Sequence, residues 1–360
     1  MFSLQDKHLA DTISSQIKTA NVNLKFMHVC GTHQDTLVKH GLDVLLKKCG
    51  VEIRQGPGCP VCVTTPQEIE EILALAKQGK TITTFGDMTR VPGKQYSLQH
   101  MKTEGYDIRT VYSIEDAVTL AKQHKHKEFV FMAVGFETTA PTTASVILQH
   151  PPSNFSVLCC HRLIPPALKA ILELGEIEID GFIEPGHVST IIGLQPYDFI
   201  STQYHIPQVV TGFEPLDLLM AVWMLVRQHQ TGQAIVENEY TRAVNDQGNI
   251  KAQHVMETVF TSTDIKWRGF PILPDSGLIL QKTYESYDAR KKYEDELEEI
   301  HKQEFPEPPG CRCGEVLRGI CSSQECPLFG TQCTPNTPVG PCMVSIEGSC
   351  NIEYRYIKNN

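Results

Sequence analysis

The chain lacks the signatures that most readily name a function. Neither G-x-G-x-x-G nor G-x4-G-K-[ST] occurs, and the glycines at 56 and 58 belong to a cysteine loop that fits neither pattern, so a tightly bound nucleotide is not supported. No run of 18 apolar residues is present, which gives no candidate for a membrane-spanning helix. The opening MFSLQDKHLADTISS has no apolar stretch able to serve as a signal peptide, and this predicts a reducing, cytoplasmic compartment. Basic residues are in the minority, 32 Lys and Arg against 42 Asp and Glu, for a formal charge of −10. Nucleic acid needs a basic face and is therefore not an expected partner, and the short run KQHKHK at 122–127 reads as a solvated helix end.

Cysteine is what the chain has in plenty. Of thirteen, seven lie between residues 310 and 350: Cys311 and Cys313 as a C-x-C, then Cys321, Cys326, Cys333, Cys342 and Cys350. The Gly, Pro, Ser and Thr between them build turns, which let thiolates converge on one point. A disulfide-stapled tail conflicts with the expected compartment. Structural zinc usually announces itself as two C-x2-C pairs or a Cys/His mixture, and this stretch has no histidine and no C-x2-C. The expectation is an iron–sulfur module, in which a cubane cluster takes four thiolates and leaves up to three for other work.

With 360 residues and 41% apolar content the chain can bury a sizeable core divided among two or three domains. Leu4, Leu9, Ile13 and Ile17 mark an amphipathic first helix. A strand at 24–29 then runs into Cys30-Gly31-Thr32-His33, the place where open α/β sheets bind ligands. A second short strand leads into Gln55-Gly56-Pro57-Gly58-Cys59-Pro60-Val61-Cys62, and Thr65-Pro66-Gln67-Glu68 predicts a helix start that runs to about residue 79. A C-x2-C just before a helix is the usual form of a thiol–disulfide switch, with half of a zinc site as the alternative.

Further strands are expected at 81–85 before Asp87, 108–111 before a Ser113 cap, 128–134 before Glu137, 155–160 before His161, 181–184 before His187 and 208–211 before Phe213-Glu214. This alternation predicts an α/β fold: two Rossmann-like parallel-sheet domains flanking a cleft, plus a small cysteine-rich iron–sulfur module. The expected limits are 1–130, 131–235, a connecting segment at 236–305 that includes a charged, solvated helix at 283–304, and the module at 306–360. Asp87, Glu137 and His187 are candidates to orient ligands or move protons in the cleft, or else they cap turns. Cys49, Cys159 and Cys160 read as core residues and His161 as structural.

Five strings occur in order along the chain: Phe26-Met27-His28-Val29-Cys30-Gly31-Thr32-His33, Gly56-Pro57-Gly58-Cys59-Pro60-Val61-Cys62, Gly135-Phe136-Glu137-Thr138-Thr139-Ala140-Pro141-Thr142, Pro185-Gly186-His187-Val188-Ser189 and the cysteines from 311 to 350. Together they resemble the HypD family of [NiFe]-hydrogenase maturation factors. The chain departs from that pattern at His28, where an acidic residue is expected, at Gln34 for Thr, at Ile346 for Ser, and in Cys321, which is additional.

The resemblance implies a cytoplasmic scaffold and redox protein for assembly of the Fe(CN)2CO group. It would work in complex with a HypC-type chaperone, receive cyanide from a HypE-type donor and serve the hydrogenase large subunit indirectly. Cys30 would hold the iron with His33 close by, and Cys59 and Cys62 would form a thiol pair facing the same cleft. Soft thiolates suit low-spin iron. A further likeness, of the C-x-C to ferredoxin:thioredoxin reductases, implies Cys311, Cys326, Cys333 and Cys350 as ligands of a [4Fe-4S] cluster, with Cys313 and Cys342 as a redox pair. The rival readings are a stand-alone iron–sulfur thiol–disulfide oxidoreductase in which Cys30 is a spectator, and a zinc-stabilised interaction protein.

Overall fold

The computed structural model describes residues 6–357, so Leu4 lies outside the described residues. The first helix, Lys7–Thr19, is capped by the Asp6 carboxylate on the Leu9 amide, and it buries Ile13 and Ile17 while Leu9 stays exposed.

Strands follow in the order β1 (Leu24–His28), β2 (Val51–Gln55), β3 (Thr81–Thr84), β4 (Ile108–Thr110), β5 (Phe129–Gly135) and β6 (Phe155–His161). Then come β7 (Gly181–Pro185), β8 (Gln208–Thr211), β9 (Val236–Asn238), β10 (Phe260–Lys266) and β11 (Ile272–Leu280). They form two parallel sheets, β2-β1-β7-β8-β9 and β4-β3-β5-β6, and one antiparallel hairpin, β10-β11. Every residue of β5 and β6 is buried: β5 is central and covered on both faces, and β6, at the sheet edge, is covered by β11 and the segment at Asp288.

This confirms the α/β class but corrects the expected boundaries. The chain leaves the first sheet after β2, builds the whole second sheet, and returns to the first at β7. A division at residue 130 therefore cuts through β5, and the first unit is assembled from two separated stretches. Local patterning reveals a strand but not which parallel neighbour it joins, because a crossover can be of any length.

One apolar cluster fills the space between the sheets, with Met27, Phe182 and Val210 on one side and Val130, Met132 and Leu158 on the other. Cys49, Cys159 and Cys160 are buried in the core. His161 is fully enclosed and ties Gly135 O (3.2 Å) to the Thr143 hydroxyl (3.0 Å).

The segment expected to be one solvated helix is broken into Lys282–Tyr287, Ala289–Lys292 and Glu294–His301. It is partly a buried prop: Tyr293 and Leu297 enter the core, and Arg290 reaches Glu71 (2.8 Å) and Glu68 (3.5 Å). Its charge pattern looked solvated because those carboxylates lie more than 200 residues away in sequence. The C-terminal helix Ser349–Ile357 packs on helix Gly31–Lys39, where the Asp35 carboxylate accepts from Arg355 (3.0 Å) and the Tyr356 hydroxyl (3.2 Å).

Candidate functional site

Each sheet reverses its strand order once, between β1 and β7 in the first and between β3 and β5 in the second. Loops at the carboxyl ends of such strands diverge and leave a crevice. Cys30 stands at the first reversal, extended (φ −146°, ψ 127°), as the residue before helix Gly31–Lys39. The Cys59 loop interlocks with it: the Gly56 amide donates to His28 O (2.7 Å) and the Gly31 amide to Gly58 O (3.3 Å). Gly58 lies so close that a β-carbon there would fall on the Cys30 nitrogen and the Val29 carbonyl group. Cys59 and Cys62 form a disulfide, Cα to Cα 5.2 Å, and both are fully enclosed.

The cysteine module reaches the same point. Asp87 accepts from the Ile346 amide (3.2 Å) and Arg90 donates to Val344 O (2.7 Å), so the helix Gly86–Arg90 at the second sheet's reversal holds segment 344–347. This lays Glu347 against Gly31, where an added β-carbon would come within 2.5 Å of the Glu347 Cβ. Asp87 is thereby placed as a docking group for the module.

Within the module, a β-carbon on Gly340 would lie 2.6 Å from Cys313 Sγ and 2.8 Å from Cys311 Sγ. Cys313, Cys342 and Cys350 share hydrogen bonds, which push the Cys342 thiol up and hold that of Cys350 down. Cys333 senses both Cys311 and Cys313 and accepts from the Val339 amide (3.4 Å). Five thiols thus gather around the Gly340 cradle. Cys326 points toward Gly310 O (3.8 Å) and influences Cys321. Soft, buried sulfur donors in excess of four fit an iron–sulfur cluster by donor chemistry. Among the described residues no three His, Cys, Asp or Glu side chains already form a closed metal-ligand set.

A family model named HypD and described as "Hydrogenase formation hypA family" matches residues 5–357. The chain belongs to the HypD family. A Methanocaldococcus jannaschii protein named for hydrogenase expression and formation is 49% identical over 336 residues, 92% of each chain. Hydrogenase maturation factor HypD of Escherichia coli is 43% identical over 355 residues, 97% of this chain and 94% of that one. The Cupriavidus necator factor of the same name is 41% identical over 367 residues, 98% and 95% respectively. Among the described residues no helix is long and apolar enough to cross a membrane.

Two departures from the HypD pattern prove to be partners. His28 Nε2 meets Gln34 Oε1 at 2.8 Å, so Nε2 carries the proton and Nδ1 faces the Cys30 amide (3.5 Å). Burial lowers the His28 pKa to about 4, leaving it neutral.

His33 is fully enclosed with neither ring nitrogen hydrogen-bonded, and burial, reinforced by His28 and His187, lowers its pKa to about 3. Its ring lies against Phe213 (5.2 Å), which stacks in turn on the exposed ring of His187 (3.9 Å). Three rings thus connect the buried HypD site to the surface. Burial also raises the Cys30 thiol to about 11, against the lowering effect of the His33 and Thr32 amides. A thiol so enclosed stays protonated on its own, and a soft cation binding to sulfur would favour loss of that proton to water.

Sequence reasoning missed Glu184 and Tyr197. Glu184, at the end of β7, is fully buried with neither oxygen partnered, and burial drives its carboxyl well above the usual range. Tyr197 shares a hydrogen bond with Ser189 (3.1 Å) and feels Glu184, Glu137 and Cys30. The only advance signal was an acidic residue inside an apolar strand.

Glu137 accepts from the Ile164 amide (2.8 Å) while its second oxygen is unpartnered, and burial raises its pKa to about 7. Because the folded value exceeds the unfolded one, its stabilising effect is complete below pH 4.5 and is lost as pH rises through 7. Stability is expected to fall by roughly 3 kcal/mol over that window, and Glu137→Gln should flatten the dependence in urea unfolding at pH 5 and pH 8. Equal slopes in the two proteins would contradict this.

Proposed function

We propose that this hydrogenase maturation factor is the cytoplasmic scaffold on which the Fe(CN)2CO group is assembled. Cys30 provides the protein thiolate to the iron, which is substrate here. The observation that carries the reading is the meeting of three elements at one sheet reversal: Cys30, the Cys59–Cys62 loop and segment 344–347 of the cysteine module.

His33, neutral and with its ring nitrogens close to no partner stronger than the Gly212 and Thr211 backbone, hydrogen-bonds a polar ligand near Cys30 in this reading. Cys59 and Cys62 interconvert between disulfide and dithiol, taking up two electrons and two protons. Cys311, Cys333 and Cys350 of the Gly340 group, with Cys326 from the neighbouring turn, would hold a [4Fe-4S] cluster that would supply one-electron transfers when bound, and Cys313 with Cys342 would form the adjacent thiol pair.

A HypC-type chaperone, a HypE-type cyanide donor and, indirectly, the hydrogenase large subunit are the partners. Exposed Ile346, beside Glu347 on the segment over Gly31, is suited to meet one of them. A stand-alone thiol–disulfide oxidoreductase fits less well, since Cys59 and Cys62 are both fully enclosed and a protein disulfide could not reach them.

Single Cys→Ala variants test the ligand assignment by cluster absorbance and iron content after anaerobic purification. Cys311, Cys326, Cys333 and Cys350 variants should lose the cluster, and Cys313 and Cys342 variants should keep it. Loss in Cys313→Ala with retention in Cys311→Ala would overturn the division.

A further inference from the structure

Strand β2 is an edge of the first sheet, paired only with β1. Leu24 N donates to Gly50 O (3.0 Å) and Gly56 N to His28 O (2.7 Å), so residues 50 and 56 turn their backbone groups toward β1. By strand alternation the N–H and C=O groups of Val51, Ile53 and Gln55 face away from it. Among the described residues no backbone hydrogen bond reaches them on that side, and Gly319 of the cysteine module lies against the Gln55 carbonyl, which leaves the Ile53 groups and the Gln55 N–H open.

Facing this edge is a cavity of about 440 Å³. It is lined by residues 52 to 55 of the strand, by Leu37 and Lys47 from the two helices that precede it, and by Cys321 and Glu353 from the cysteine module. Gln55 is only 8% exposed and neither its amide nitrogen nor its amide oxygen has a partner. Glu353 is likewise 8% exposed with Oε2 unpartnered. Buried polar groups are normally satisfied, so a site holding a wholly unsatisfied carboxamide and a free carboxylate oxygen beside an unpaired strand edge is built for an occupant.

The donors and acceptors indicate its chemistry. A carboxamide offers one N–H and one C=O side by side, the complement of a peptide group. Beside it the edge of β2 presents outward backbone groups at Ile53 and again at Gln55, two residues or roughly 7 Å apart, the repeat of an extended chain. Charges around the cavity are mixed, Lys47 and Arg54 against Asp43, Glu52 and Glu353, so no single strong charge is selected. Leu37, Ile53 and Val316 give apolar contact for alternate side chains.

We propose that this groove takes an extended peptide segment of a partner protein, added to β2 as a further strand, with one of its peptide groups held by the Gln55 amide. The proposal is independent of the role assigned to Cys30. The full-length protein is tested by selection against a displayed library of random heptapeptides, followed by amide hydrogen exchange with a selected synthetic peptide. Selected peptides are expected to slow exchange at Ile53 and Gln55 and to bind Gln55→Leu about tenfold more weakly. Ile53→Pro, which removes the outward N–H at an edge that tolerates proline, should weaken binding comparably. Failure to enrich any peptide, or peptides that leave both amides unprotected, would overturn the proposal and mark the groove as water-filled. Undiminished binding to folded Gln55→Leu would also overturn it.

Discussion

Gly58→Ala should be among the most damaging small substitutions at the site. The added carbon would fall on the Cys30 nitrogen and the Val29 carbonyl carbon, and within 2.5 Å of the Val29 oxygen. All three are backbone atoms at the carboxyl end of a central strand, and they cannot yield without pulling β1 out of register with β7. Overpacking of that kind costs about 3 kcal/mol. The Cys59–Cys62 loop would move away from Cys30, and the normally enclosed disulfide should become reducible and alkylable under native conditions. Gly56→Ala is the informative contrast: its new carbon would meet Met27 Sδ at 2.8 Å and Val29 Cγ1 at 2.7 Å, side-chain atoms that can rotate aside. Its cost should be closer to 1 kcal/mol. Urea midpoints and thiol-labelling rates check both variants, and equal effects would contradict the interlocked-loop geometry.

Arg162→Met is expected to destabilise the fold by about 3 kcal/mol, the low end for breaking a buried ion pair, because Arg290 remains 3.5 Å from the Glu68 carboxylate. Arg162 is almost fully enclosed and donates to Glu68 Oε2 at 2.7 Å. Burial alone would raise the Glu68 carboxyl, but the guanidinium groups of Arg162 and Arg290 outweigh it and hold the group below its usual range. The same Glu68 oxygen accepts from the Thr65 amide and hydroxyl, both at 2.9 Å, which fixes the start of helix Pro66–Lys77 immediately after Cys62. A loss of this ion pair therefore reaches the thiol loop as well as the core. Since the folded value is depressed, the stabilisation from Glu68 is present above pH 4.5 and disappears as pH falls through the lower folded value. The double variant Arg162→Met, Glu68→Gln should recover part of the loss at pH 7, because no charge is then stranded. A single variant as stable as the parent in calorimetry would contradict the account.

Much of this site was legible in the sequence because its signals are local. Cys30, Cys59 and Cys62 stand where an apolar strand or a short turn gives way to a helix, and the capping box of Thr65 and Glu68 is present as expected. What escaped were relations between distant segments. Nothing in the order of strands shows that β7 joins β1 while β3 to β6 form a separate sheet. Glu347 gives no hint of lying over Gly31, 316 positions earlier, and Arg290 looks like one more solvated cation until Glu68 and Glu71 are brought beneath it. His28 and Gln34 were each visible as departures from the family pattern, but only the turn of the following helix makes them a hydrogen-bonded pair. Glu184 illustrates the same limit, since burial without a partner is a property of the assembled core.

The most direct test of the scaffold reading is an infrared spectrum in the metal–carbonyl and metal–cyanide region. It would be recorded with iron and sulfide analysis on protein purified anaerobically after co-expression with HypC- and HypE-type partners. The parent protein should contain about four cluster irons plus one further iron, with cyanide and carbonyl bands. Cys30→Ala should keep the cluster iron and lose those bands completely. A cluster-bearing parent that shows no such bands, or bands that persist unchanged in Cys30→Ala, would contradict the assignment of Cys30 as the iron-holding thiolate.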